Sequence, residues 1–169
     1  MLKELIRDIP DFPKEGIIFK DITPVLQNPA GLKEVVDKFS EHYANQNIDV
    51  IVGAEARGFL FGPAVAINIG AGFVPVRKPG KLPYETASKT YDLEYGTDTL
   101  EIHKDAVKAG DTVLMMDDLL ATGGTMVASC ELVESLGGKI TGCAFLIELG
   151  FLNGKEKLSQ YDIFSLIQY

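Results

Sequence analysis

The run Val113-Leu114-Met115-Met116-Asp117-Asp118-Leu119-Leu120-Ala121-Thr122-Gly123-Gly124-Thr125 gathers the residue types of a sugar-phosphate site. Gly123 and Gly124 let the backbone approach a ligand closely, and Thr122 and Thr125 add hydroxyl donors. An apolar helical pattern starts just behind them. Its first free N–H groups and the positive end of its dipole would face a phosphate held by Ala121–Thr125. Asp117 and Asp118 would repel that phosphate, so they suit the hydroxyls of a sugar, or a metal bound to them, one step away. Together these features describe a ribose 5-phosphate. The competing reading is a plain strand-to-helix turn with an aspartate cap.

A second candidate anion loop is Gly53-Ala54-Glu55-Ala56-Arg57-Gly58, again between a strand pattern and a helix pattern. A simple turn with a solvated Arg57 is its alternative. Arg77, Lys78, Lys81 and Lys89 then fall within a window opposed only by Glu85, a local charge of 4 − 1 = +3. Such a patch suits a leaving pyrophosphate, although Lys89 reads better as solvated surface.

The elements that must position these residues follow from periodicity. Asn28-Pro29 supplies a cap and a first-turn proline, and Leu32, Val35, Val36, Phe39 and Tyr43 share one helical face. Strands are expected at 49–53, 72–76 (weakened by Pro75), 112–116, 139–147 and 161–168, with helices at 60–69 and 124–136. Residues 77–99 are polar and broken by Pro79, Gly80, Pro83 and Gly96, as in an irregular or hairpin-like lid. Alternating strands and helices with continuous apolar strands predict an α/β fold with a mostly parallel sheet covered on both faces. Ligands then bind at the strands' C-terminal ends. The first 30 residues do not fit the alternation and are expected to form a small cap.

Composition narrows the function classes. The 169 residues carry 16 Lys+Arg against 24 Asp+Glu, a net charge of 16 − 24 = −8, which argues against nucleic acid or an anionic membrane as a partner. The length predicts a single domain over 1–169. Cys130 and Cys143 lack ligand spacing and read as buried thiols; His42 and His103 read as surface residues. Residues 58–76 are uncharged, but their glycines and prolines divide them into two short buried elements rather than a membrane span. The mixed-charge start, Met1 to Asp8, is unlike a signal peptide, so a cytoplasmic location is expected.

The Asp117–Thr125 stretch resembles the signature of type I phosphoribosyltransferases. Asp11-Phe12-Pro13, Gly16–Ile22, Ala56–Pro63, Leu93-Glu94-Tyr95-Gly96 and Phe164–Tyr169 resemble its adenine-using branch. The resemblance implies a small N-terminal hood over residues 1–30, a flexible lid over 77–99, a homodimer, Mg²⁺ held mainly by substrate oxygens, and phosphoribosyl pyrophosphate and adenine as substrates. It implies pyrophosphate contacts from Glu55, Ala56, Arg57, Arg77, Lys78 and Lys81, with a cis peptide at Glu55–Ala56. It makes Glu94 the proton-handling carboxylate and puts Tyr95 beside the reaction centre; unaided, the sequence leaves Glu94 as one of five acids between residues 92 and 105. Phe19 is an aromatic plate able to stack on a purine. The resemblance sets the base between Phe19 and Leu119, with the backbone at Ile18 and Lys20 reading adenine's amino edge. Some relatives carry Arg at Lys20, so its side chain's role stays open. The rivals are an enzyme for another 6-substituted purine and a regulator that senses the sugar donor. The latter usually carries a DNA-binding domain, for which this length leaves no room.

Overall fold

In a computed structural model describing residues 1–93 and 95–169, the buried apolar runs assemble into five parallel strands. Glu94 lies outside the described residues. The sheet contains β3 (Val50–Ala54), β4 (Gly72–Val76), β7 (Thr112–Leu120), β8 (Lys139–Glu148) and β9 (Ile163–Gln168), in the order β4-β3-β7-β8-β9. Strand alternation divides the side chains between two layers. Val52, Val113, Met115, Cys143 and Phe145 pack with helix α4 (Gly124–Ser135). Ile51, Leu114, Met116, Ala144 and Leu146 pack with α2 (Pro29–Tyr43) and α3 (Gly62–Ile69). Pro75 is tolerated because β4 is an edge strand.

Helix α2 begins where the sequence places it. The Asn28 side chain accepts from the Gly31 amide at 3.0 Å, and Pro29 follows as the first helical residue. Val35, Phe39 and Tyr43 are buried along its inner face. The uncharged 58–76 segment resolves into α3 and β4, and among the described residues no helix is long and apolar enough to cross a membrane.

One expectation needs correction. Strand β7 does not end before Asp117 but runs to Leu120, because pairing continues as Asp117↔Phe145, Leu119↔Ile147 and Leu120↔Glu148. The phosphate-loop candidate is thereby shortened to Ala121–Gly123 ahead of α4. Of the two forms open to the polar 77–99 stretch, irregular or hairpin-like, the structure has the second: β5 (Thr86–Asp92) and β6 (Thr97–His103) form an antiparallel hairpin that extends past residue 99. The acids of β6 hide its strand character, yet Leu100 and Ile102 alternate inward and are fully buried. The N-terminal segment lies outside the central sheet. Its hairpin, β1 (Arg7–Pro10) with β2 (Ile18–Asp21), is followed by the short α1 (Thr23–Gln27), but Leu2, Ile22 and Val25 sit in the α2–α3 core layer.

Cys130 and Cys143 are buried free thiols with their sulfurs 3.9 Å apart. His42 is exposed and stacks on Phe164, ring centroids 3.6 Å apart. His103 is half-buried rather than fully at the surface, and its Nε2 accepts from the Tyr84 amide at 3.3 Å.

Candidate active site

A cavity of about 260 Å³ opens at the C-terminal ends of β3 and β7, lined by Glu55–Arg57, Asp117–Met126 and Phe145. This is where an open parallel sheet places its ligands. The two anion loops, distant in sequence, therefore form one site. The turn after β3 is drawn in by close packing: a Cβ on Gly53 would lie 2.6 Å from the Gly58 carbonyl oxygen, and one on Gly58 would lie 3.3 Å from the Met116 oxygen. Side chains at these positions would push Arg57 away from β7. The Glu55–Ala56 peptide is cis, as the resemblance implies.

The carboxylates differ in environment. Asp118 is 2% exposed; its Oδ2 faces Arg57 Nε at 3.1 Å and otherwise lacks a hydrogen-bond partner. Burial, then the neighbouring Asp118 charge, pushes the Asp117 carboxyl well above the usual carboxylate range. At the loop, Gly123 takes a left-handed φ of 88° and α4 starts directly behind it. The amides at this terminus have no intrahelical acceptors and are free for an anion. Thr125 Oγ1 lies 3.2 Å from the Tyr91 hydroxyl, which joins the β5–β6 hairpin to the loop.

The basic patch is gathered beside this cavity rather than lining it. Glu55 Oε1 accepts from the Lys78 amide at 2.7 Å and from Arg77 Nε at 3.3 Å, while Oε2 lies 3.7 Å from Lys81 Nζ. Lys78 Nζ pairs with Asp98. Lys89 turns away to Glu131 at 2.9 Å, in keeping with its surface reading. The Lys78 amide holds the Glu55 carboxyl below its usual range against the opposing effect of burial, and Lys81 and Arg77 add to the lowering. Such a group adds stability above its unfolded value that is lost as pH falls through its folded value. Glu55→Gln is therefore expected to flatten the acid-side decline in melting temperature between about pH 5 and pH 3, measured by thermal scans across that range.

The residues expected to meet the base lie on and beside the β1–β2 hairpin. Phe19 lies under the Arg57 guanidinium, 5.4 Å from ring centroid to Cζ, with Phe12 edge-on at 5.2 Å. Arg57 thus reaches both Asp118 and Phe19. Leu119 lines the cavity; Ile18, Phe19 and Lys20 stand outside its wall. Pro10, opposite Ile18, has no N–H, as a mutually bonded antiparallel pair would require. The bonded pairs are then Ile9↔Phe19 and Arg7↔Asp21, leaving the peptide groups of Ile18 and Lys20 facing the strand's free edge. The Lys20 side chain is occupied elsewhere: its Nζ lies 2.6 Å from Asp8 Oδ1 and 3.9 Å from the Tyr169 ring centroid. Tyr95 is 80% exposed, with Lys14 Nζ 5.9 Å from its ring centroid.

Sequence reasoning missed Phe145, Met126 and Tyr91. Phe145 enters through its register with Asp117, and Tyr91 through a hairpin folding over α4; neither carries a local motif.

A parallel sheet with two anion loops at one end and paired acids between them defines a phosphoribosyl-binding domain. The family model described as phosphoribosyl transferase domain matches residues 21–168, and the chain belongs to that family. Among its relatives is adenine phosphoribosyltransferase of Koribacter versatilis, 60% identical over 99% of this chain and 92% of the relative. The crystal structure of adenine phosphoribosyltransferase from Thermoanaerobacter pseudethanolicus is 57% identical with a TM-score of 0.96, covering 99% of this chain and 98% of that one. That from Saccharomyces cerevisiae, complexed with an imino-altritol bisphosphate and adenine, is 46% identical with a TM-score of 0.94, covering 98% and 96%.

Proposed function

We propose that this chain transfers the 5-phosphoribosyl group from phosphoribosyl pyrophosphate to adenine, releasing AMP and pyrophosphate, a purine-salvage step. The observation that carries this reading is the placement of Arg57, which spans from Asp118 in the phosphate cavity to the Phe19 plate of the hood. Sugar donor and flat base would meet there. The adenine bound in the yeast relative supports the same choice of acceptor.

In this reading Ala121–Thr125 hold the 5-phosphate, and Asp117 and Asp118 hold the ribose hydroxyls. The Glu55–Ala56 backbone with Arg57, Arg77, Lys78 and Lys81 receives the pyrophosphate. The purine nitrogen attacks C1′ as the bond to pyrophosphate breaks, and Glu94 takes the proton that the nitrogen loses, with Tyr95 beside the reaction centre. Ile18 and Lys20 offer peptide groups to the amino edge of adenine, which lies between Phe19 and Leu119. A 6-oxo purine would present the wrong polarity to them.

The residues present fit Mg²⁺ carried by the substrates. Asp118 Oδ2 is a buried hard oxygen whose close partner is Arg57 Nε at 3.1 Å, and it could accept from a water on a substrate-bound ion. Bound Mg²⁺ would neutralise developing charge on the leaving pyrophosphate. We place the protein in the cytoplasm as a homodimer of single-domain chains spanning 1–169, each with a base-recognition hood over 1–30 and a lid over 77–99. Exposed Ile67 and Leu60 on and before α3 offer apolar surface to a second copy.

A spectrophotometric assay of adenine, hypoxanthine and guanine with donor and Mg²⁺ tests the reading. AMP from adenine, with no product from the other two, is expected; donor binding without turnover would favour a sensor instead. Phe19→Ala should raise KM for adenine about tenfold, since one stacked base is worth about 1–3 kcal/mol, and leave KM for the donor unchanged in initial-rate measurements.

A further inference from the structure

Beyond the cavity wall, the chain following β8 packs against the underside of the phosphate loop. Leu149 N donates to Leu120 O at 2.9 Å, a short turn covers Gly150–Leu152, and Asn153 with φ 55° reverses the chain. This delivers Gly154, the first residue of α5 (Gly154–Lys157), against Ala121. A Cβ on Gly154 would lie 2.4 Å from the Ala121 carbonyl oxygen and 2.9 Å from Leu120 Cδ1. In the other direction, a Cβ on Gly123 would meet the Gly154 oxygen at 3.0 Å. The contact is backbone on backbone, so no side-chain rotation can relieve it.

The supporting segment is fixed at both ends. Lys155 Nζ lies 3.0 Å from Glu148 Oε2, and Glu148 is 6% exposed at the end of β8, in register with Leu120. Three residues on, Leu158 is completely buried in the α4 core layer. The height of Ala121–Gly123 above the sheet is thus set by a segment that does not line the cavity.

We infer that Gly154, anchored by the Glu148–Lys155 ion pair, is a positioning residue for the phosphate subsite of the sugar donor. This rests on Ala121–Thr125 holding the 5-phosphate. A methyl group at Gly154 must lift the Ala121 carbonyl by several tenths of an ångström, and with it the peptide N–H groups that face the anion. Errors of about 1 Å in a bound group can cost about 10²-fold in rate. Among the described residues no hydrogen bond or ion pair joins this segment directly to Arg57 or Phe19.

The test is initial-rate kinetics on Gly154→Ala, with ribose 5-phosphate as a competitive probe. KM for phosphoribosyl pyrophosphate and the inhibition constant for ribose 5-phosphate should rise together, about 10–100-fold, while KM for adenine changes less than about twofold. A general loss of structure would move both KM values and the melting temperature. Should Gly154→Ala fail to fold, Glu148→Gln with Lys155→Met removes the anchor without leaving a lone buried charge. That pair should raise the donor KM with the same selectivity. An unchanged donor KM in the folded variant, or an equal rise for adenine, overturns the inference. Thr122→Ala with Thr125→Ala separates the two levels. If that pair raises the donor KM while the Gly154 and anchor variants do not, the inference alone fails. If it also leaves the donor KM unchanged, the phosphate-subsite reading fails with it.

Discussion

Glu94→Gln is expected to lower kcat about 10²–10⁴-fold, the usual contribution of a positioned acid–base group, with little change in KM for phosphoribosyl pyrophosphate. The purine nitrogen cannot complete its attack on C1′ without giving up a proton, and a carboxylate can accept one where an amide cannot. Described residues on either side of it in the sequence are tied down: Leu93 N donates to Gly96 O at 2.9 Å, and Tyr91 meets Thr125 at 3.2 Å. Those ties survive the substitution, so donor affinity should survive with them. Initial rates at saturating adenine and donor provide the check. An unaffected kcat would mean that another group takes the proton.

Asp117→Asn combined with Asp118→Asn should reduce kcat/KM for the donor about 10²–10³-fold, as when preorganised electrostatic groups are removed from an active site. The two carboxylates would face a sugar that gains positive charge as pyrophosphate departs, and amides cannot offset that charge. Arg57, half-exposed, loses its Asp118 partner but can turn to solvent, so the variant should still fold. Asp117→Asn alone should increase stability. Its folded-state carboxyl titrates above the unfolded value, so across the interval between them the native state binds more protons and stability declines as pH rises. An asparagine resembles the neutral form and removes that decline. The expected result is a higher melting temperature near neutral pH together with lower activity; a lower melting temperature would show that the carboxylate is satisfied by contacts its burial does not suggest.

Much of this fold is legible because its signals are local. Asn28-Pro29 starts α2, apolar runs mark β3, β7 and β8, and the glycines at 123 and 124 mark the phosphate-loop turn. What escapes local reading depends on neighbours. No strand is expected over 97–103, where the acids Asp98 and Glu101 break the apolar pattern, until strand pairing turns Leu100 and Ile102 into the core. Asp117 and Asp118 read as a turn until β8 extends the ladder beneath them. Similarly, Arg77, Lys78 and Lys81 read as waiting cations, whereas the structure shows Glu55 and Asp98 already holding them. The Gly154 contact has no sequence signature, since a glycine after a short turn is common and its neighbour lies more than 30 residues earlier.

The free edge of β2 bears on how readily this protein could change its substrate. The Lys20 ammonium is committed to Asp8 and Tyr169, so under the proposed reading the strand would offer adenine only peptide groups, which every residue type except proline carries alike. Point mutations at Ile18 and Lys20 would then alter packing and leave the pattern of donors and acceptors intact. Acceptor choice would be shielded from mutational drift, and a lineage moving toward 6-oxo purines would need to re-thread the hairpin by insertion or deletion.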